Sequence, residues 1–475
     1  MWDGYVYATE INDAASAPFS TSALRLAGHA SQAYAAAAVT AQRLAPGSVW
    51  PLFGLSVALL GVAIAGFCRL LAIAFPDASL GPERALLAGA FMLQPSMLAA
   101  VVQPGLDLPL VPAFVWCAVF LLEGWQVGVI LAGIALAFTK ETGLLLYGSL
   151  VGSYAVWSFI QPADDLRQRV TRVLRLAPLA APVLVFGAYA LYRRHTAPAG
   201  EPVVWNAGTA MIHQSLLRQL IVPRIDRYLA SYLTIVLILN FAWIATAVTA
   251  AGGVMFATRL PRATWRAKWQ QVMQGVSSVP GLLVIVTLVT GYLLTRFASY
   301  ANSRYLLPIM GLRDALFLAA LLALPVAASA RRTVLIVYAA ALLVSAVRTV
   351  DPLSRAIYGT FPFGNHEMLR MTAITHECCG PGRDQLAYNL EFTRLESLAN
   401  AALMSVRPGD STMIVFPDST NWFVASRLDR TTSRRTVARV NTVAPLVTET
   451  DSAALYLFRT RHVAYIALPN GGLDA

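Results

Sequence analysis

An acid and a base stand at matching distances from one tight turn. Asp107 lies 17 residues before Gly124 and Lys140 lies 16 after it, in a chain whose one other lysine is Lys268. Between them run two apolar segments, 108–122 and 126–138, joined by Glu123-Gly124-Trp125. At a rise of about 1.5 Å per helical residue, both groups sit ~25 Å from the turn and therefore at one depth. The two runs amount to roughly 20–23 Å of helix against ~30 Å of hydrocarbon, so they suggest a site sunk below one membrane face. Ionisable side chains near a membrane core are costly without a purpose. Glu141 follows Lys140 directly and shares its depth. A more ordinary reading stays open for each: Asp107, after the turn signal Gln103-Pro104-Gly105, as a helix cap, and Lys140-Glu141 as an interfacial anchor.

Further candidates lie along the chain. Asp3, in Met1-Trp2-Asp3-Gly4-Tyr5, precedes an amphipathic segment at 21–43 that is expected to lie along the membrane surface. A carboxylate there is suited to act as general base on a hydroxyl or amine acceptor; the alternative is a solvated chain end. Arg296, Tyr300, Arg304 and Tyr305 form a basic, aromatic cluster before Pro308. Arginine forks bind phosphate oxygens bidentately, although tyrosines and snorkelling arginines also serve as plain interfacial anchors. His366-Glu367 and His376-Glu377-Cys378-Cys379 are metal-capable types without a recognised ligand spacing. No cofactor is called for, and a divalent metal ion stays open as an option. A P-loop, a dinucleotide fingerprint, a nucleophile elbow and a zinc-protease helix are all missing from the sequence.

The elements that must position these residues are membrane helices. Apolar residues make up 57% of the 475, charged residues 13%, and the mean hydropathy is +0.58, well outside the soluble range. Ten apolar stretches read as spans: 51–75, 84–102, 108–122, 126–138, 142–160, 176–192, 229–253, 279–295, 306–327 and 333–349. The Arg-rich connections 161–175, 256–278 and Arg331-Arg332 all fall on one side of a ten-span chain, which is read as cytoplasmic. The opposing loop 193–228 is also rich in arginine, and the net charge of +11 suits a protein that handles phosphate-bearing lipids. Three regions follow: 1–50 as a first extracytoplasmic loop with a surface helix, 51–350 as the transmembrane domain, and 351–475 as a small extracytoplasmic α/β domain. In the last, a helix is expected at 385–406 and strands at 412–417, 436–441 and 462–468.

Taken in order, Trp2-Asp3-Gly4-Tyr5, Ala27-Gly28-His29, the turn with Asp107, Thr139-Lys140-Glu141-Thr142-Gly143 and Arg304-Tyr305-Leu-Leu-Pro308 resemble the GT-C superfamily of polytopic glycosyltransferases. The likeness is to the branch of protein O-mannosyltransferases and lipid A aminoarabinose transferases, and it covers roughly residues 1–310. It implies an inverting transfer of a sugar from a polyprenyl-phosphate carrier to a lipid, glycan or protein acceptor, on the outer face of the inner (plasma) membrane. It further implies that Asp3 is the catalytic base, that Asp107, Lys140 and Glu141 shape the donor and acceptor pocket, and that Arg304 holds the carrier phosphate. His29, Arg296, Tyr300 and Tyr305 would complete substrate binding. The family places a spanning helix ahead of its first acidic loop, so the resemblance implies a further span before Met1. Two other classes fit the composition: a transporter or flippase of lipid-linked sugars, and a non-catalytic membrane scaffold. A transporter predicts ionisable residues spread through the midplane, whereas those picked out here gather at one face.

Overall fold

The computed structural model describes residues 2–16, 18, 24–26, 28–161, 165–196, 233–259, 274–297, 303–347, 350–363 and 366–369, the single residues 386 and 390, and strand segments within 414–467. Helices dominate. Ahead of the spans lie α1 (Trp2–Ser16) and α2 (Gln32–Leu44). Then come α3 (Trp50–Ala74), α4 (Gly81–Met92), α5 (Pro95–Val101), α6 (Leu110–Glu123), α7 (Gln126–Ala137) and α8 (Glu141–Ile160). They are followed by α9 (Leu166–Leu174), α10 (Ala181–Thr196), α11 (Ala242–Arg259), α12 (Val279–Phe297), α13 (Leu307–Ala323), α14 (Ala328–Val347) and α15 (Pro352–Tyr358).

Among the described residues four helices are long and apolar enough to cross a membrane, and six spans result if each of two bent pairs counts as one. This is the build of a helical membrane protein. The bent pairs are α4 with α5, turned by 60°, and α9 with α10, turned by 41°. At the first, Pro95 follows Gln94 and cannot continue the preceding ladder. Four shorter apolar helices fill the remaining runs. Many large apolar side chains on these helices face outward, among them Val57, Leu131, Val156, Leu184, Leu288 and Val337. In water such a surface would be a liability; in lipid it is the expected one.

The α6–α7 hairpin forms as its turn residues dictate. Gly124 adopts φ +75°, the left-handed region that favours glycine, and the Trp125 amide reaches back to the Phe120 carbonyl at 2.9 Å. At the start of α8, Gly143 is packed so closely that an added Cβ would run into the Leu136 carbonyl.

Polar contacts sort the bundle into two ends. At the Gly124 end, Arg69 pairs with Glu123 at 2.5 Å, and Arg332 and Arg331 reach Glu83 at 3.2 and 3.9 Å. There too, Trp157 and Gln161 donate to the carbonyls of Ser278 and Ser277, at 3.2 and 2.8 Å. The ends of the three Arg-rich connections thus share one end of the bundle. Asp107, Lys140 and Arg304 lie at the other, where α14 also terminates. Asp351 accepts from the Leu353, Ser354 and Phe241 amides there. That last contact stabilises an abrupt break before α11, where Asn240 and Phe241 have φ of 53° and 63°.

Beyond the helices, β1 (Thr360–Phe363) pairs antiparallel with β2 (His366–Leu369). A four-stranded sheet has the order β4-β3-β6-β5. Its strands are β3 (Ile414–Phe416), β4 (Val437–Arg439), β5 (Tyr456–Thr460) and β6 (Val463–Ala467). In it β3 is parallel to both neighbours, while β5 and β6 form a hairpin. Strands β3, β4 and β6 fall inside the runs expected to be strands, and β5 was not expected. Of the helix expected at 385–406 only residues 386 and 390 are described.

Candidate functional site

The acid and the base meet. Lys140 Nζ donates to Asp107 Oδ1 at 2.6 Å, and Arg304 Nε stands 3.5 Å from Asp107 Oδ2. All three side chains are largely buried: Asp107 is 7% exposed and Lys140 5%. Lys140 Nζ also lies 4.2 Å from the centroid of the Tyr305 ring, and the Arg304 guanidinium carbon 5.5 Å from the same ring. One carboxylate therefore spaces two cations, and one aromatic face shields both. Asp107 does not cap α6. Pro109 occupies the N-cap position, and the Asp107 oxygens turn instead to Lys140 and Arg304.

Local structure explains how Lys140 gets there. Residues 138–140 break the helix between α7 and α8, and Lys140 takes an extended conformation, φ −165° and ψ 151°. In an extended segment neighbouring side chains point to opposite sides. Lys140 turns to Asp107, and Glu141 turns the other way. Glu141 Oε2 accepts from His29 Nδ1 at 2.8 Å, and its Oε1 accepts from the Ala30 amide at 3.0 Å. The Ala33 amide donates to the Phe138 carbonyl at 2.8 Å. These contacts pin the start of α2 to the α7–α8 junction.

A narrow recess adjoins the ion cluster. It is lined by Gly4 and Tyr7 of α1, by Gln103, Pro104 and Gly105, and by Asp107 and Arg304. A Cβ at Gly4 would come within 3.1 Å of the Pro104 carbonyl, so glycine there allows α1 to approach the turn before Asp107. The Tyr7 ring meets His29 edge-on, with centroids 6.4 Å apart. Asp3 belongs to the first turn of α1, one residue before Gly4, and is helical rather than part of a loop. Its side chain lies outside the description, as do that of Arg296 and the whole of Tyr300. The structure thus brings Asp107, Lys140, Arg304 and Tyr305 into one cluster and places His29 and Glu141 beside it.

A second buried charged group had no counterpart in the sequence reading. Arg313 and Asp314 lie within α13, about 13 Å further along than Arg304 at the helical rise. Asp314 Oδ1 accepts from Arg313 at 2.6 Å and from Tyr338 at 3.2 Å, and Oδ2 accepts from Gln94 at 2.7 Å. Arg313 also donates to the Val236 carbonyl at 3.0 Å and to the Tyr338 hydroxyl at 2.8 Å. This network ties α13 to α14 and to the Gln94 break, with its charges matched inside the protein. The signal was the dipeptide Arg-Asp inside an otherwise apolar run.

Among the described residues no three His, Cys, Asp or Glu side chains converge as metal ligands do. Glu367 is paired with Arg355, and residues 376–379 lie outside the description. No family model matches the chain, and comparison with curated proteins and with solved structures gives no match.

Proposed function

We propose that the chain is a membrane glycosyltransferase that moves a sugar from a polyprenyl-phosphate donor to an acceptor on the extracytoplasmic face, as a GT-C-like enzyme of the cell's inner (plasma) membrane. The observation that carries this reading is the Asp107–Lys140–Arg304 cluster beside a recess that α1 borders. A phosphate-bearing carrier is a good leaving group when cations fixed in advance hold its developing charge. Asp107 performs that fixing, and Lys140 and Arg304 are the cations. The acceptor oxygen attacks the anomeric carbon, the bond from that carbon to the carrier phosphate breaks, and the phosphate leaves with the electron pair. The acceptor proton passes to Asp3, whose helix flanks the recess. His29 and Glu141 position the surface helix α2 over the junction that bears Lys140.

The ten apolar runs are read as ten spans, counted as four long helices, two bent pairs and four short helices. The end that holds Arg69, Arg331 and Arg332 faces the cytoplasm by the positive-inside rule. The ion cluster then faces outward, together with an α/β domain after residue 350 that covers the site or selects the acceptor. Purified protein incubated with a panel of radiolabelled polyprenyl-phosphate sugars tests the reaction. Asp3→Asn should abolish transfer while leaving folding and carrier binding intact; unchanged turnover removes Asp3 from the scheme, and the absence of transfer from every donor removes the enzyme.

One observation favours a transporter of lipid-linked sugars instead. Arg313 and Asp314 sit deep in a span, where such a protein places ionisable groups. Against it, their hydrogen bonds close within the protein. Uptake of labelled carrier into vesicles, lost in Arg313→Met with its fold intact, would select that reading.

A further inference from the structure

The recess beside the ion cluster contains one polar group that neither the fold nor the proposed chemistry uses. Gln103 is 7% exposed, and its buried Oε1 has no donor among the described residues. Such an acceptor is costly, because it has given up water and received nothing in exchange. A native protein keeps one where a ligand or a water completes it.

The atom lies inside the recess. Gln103 lines it together with Gly4, Pro104, Gly105 and Asp107. A Cβ added at Gly4 would stand 3.2 Å from Gln103 Oε1 and 3.6 Å from Gln103 Cβ, so the carboxamide faces the bare side of α1. Both Asp107 oxygens are engaged by cations, at 2.6 Å from Lys140 and 3.5 Å from Arg304, which leaves the Gln103 oxygen as the acceptor that no cation holds. The side chain is neutral, and its role does not depend on the charge balance of the cluster. The recess has a volume of about 10 Å³, enough for about one water-sized group. A sugar ring stays at its mouth and inserts a single hydroxyl.

We infer that Gln103 binds one hydroxyl of the donor sugar, with that hydroxyl donating to Oε1. Rotated end for end, the carboxamide would present its N–H to the same hydroxyl, so the contact survives either orientation. The inference rests on the sugar-transfer reading. A phosphate held by Lys140 and Arg304 carries the sugar on its next bond, which brings a ring hydroxyl to the residue four positions before Asp107. A site that hydrogen-bonds a hydroxyl rejects the analogue lacking it, since its own polar group is then left buried and unpaired. Gln103 thereby selects the sugar.

The test is calorimetric binding to full-length protein in detergent micelles. The probes are farnesyl phosphate esters of mannose, glucose, galactose and arabinose, each with its monodeoxy analogues, and farnesyl phosphate itself. For the sugar that the wild type binds best, removal of one hydroxyl should weaken binding by about tenfold or more. Gln103→Met, close in volume and without the amide, should erase that penalty, while farnesyl phosphate binds both proteins equally. Thermal unfolding of the variant should begin no earlier than in the wild type, because Oε1 gives up no donor. Independently of any variant, a saturating ester with a photoreactive diazirine in place of that hydroxyl should label the wild type within residues 100–108. An equal penalty in Gln103→Met, no penalty in the wild type (the result if water alone meets Oε1), a penalty that falls on the acceptor instead, or labelling elsewhere would overturn the role of Gln103 and leave sugar transfer standing. If no sugar ester binds better than farnesyl phosphate, the transfer reading falls and this inference with it.

Discussion

The buried ion cluster makes an asymmetric prediction. At the 2.6 Å separation of Lys140 Nζ and Asp107 Oδ1, and an effective dielectric of about 20, the gross attraction is about 6 kcal/mol. Most of it offsets the cost of removing both charges from water. The partners are not equivalent, however. Asp107→Asn leaves the buried Lys140 ammonium without its carboxylate and weakens the hold on Arg304, and should lower stability by about 3–5 kcal/mol. Lys140→Met leaves Asp107 facing Arg304 at 3.5 Å, so its cost should be smaller, roughly 1–3 kcal/mol. The double variant removes one charge of each sign and should fall short of the sum by more than about 1 kcal/mol. Unfolding of the protein in mixed micelles, followed by helical circular dichroism during titration with an anionic detergent, measures all four species. Additivity within about 0.5 kcal/mol, or equal costs for the two single variants, would show that the carboxylate does not hold both cations.

Three other outcomes follow from contacts described above. Gly143→Ala should drive the start of α8 off the Leu136 carbonyl and lower stability by roughly 1–3 kcal/mol, read from the same titration. Glu141→Ala removes the acceptor for His29 and for the Ala30 amide, so amide exchange at residues 30–35 should speed by about tenfold, measured by mass spectrometry; unchanged exchange would detach α2 from Glu141. Arg313→Met alone should cost about 3–5 kcal/mol, and adding Asp314→Asn should recover a large part of that loss, whereas simple summation would deny the network.

The matching depth of Asp107 and Lys140 was legible because it depends only on counting along two helices from one turn; that their side chains face each other was not, since it depends on the break at residues 138–140. Their partner Arg304 was picked out for its type, but nothing in spacing relates residue 304 to residue 107, since that contact depends on how distant spans pack. The same holds for His29 and Glu141. Each was a candidate, yet their pairing depends on the extended conformation at Lys140, which no periodicity reports. Asp107 was open to a capping reading because Gln-Pro-Gly precedes it; tertiary charge decided otherwise. Arg313-Asp314 was missed because the run 306–327 stays apolar on average around one ion pair. The break at Asn240 was missed for a similar reason: it is imposed by Asp351 and Ser354, more than a hundred residues on.

Because Lys140 and Glu141 leave one extended step in opposite directions, the start of α2 and the buried cation are held on either side of a single peptide link. A displacement of the start of α2 is thereby passed, through the Glu141 side chain and the 140–141 peptide, to the backbone from which the ammonium of residue 140 extends.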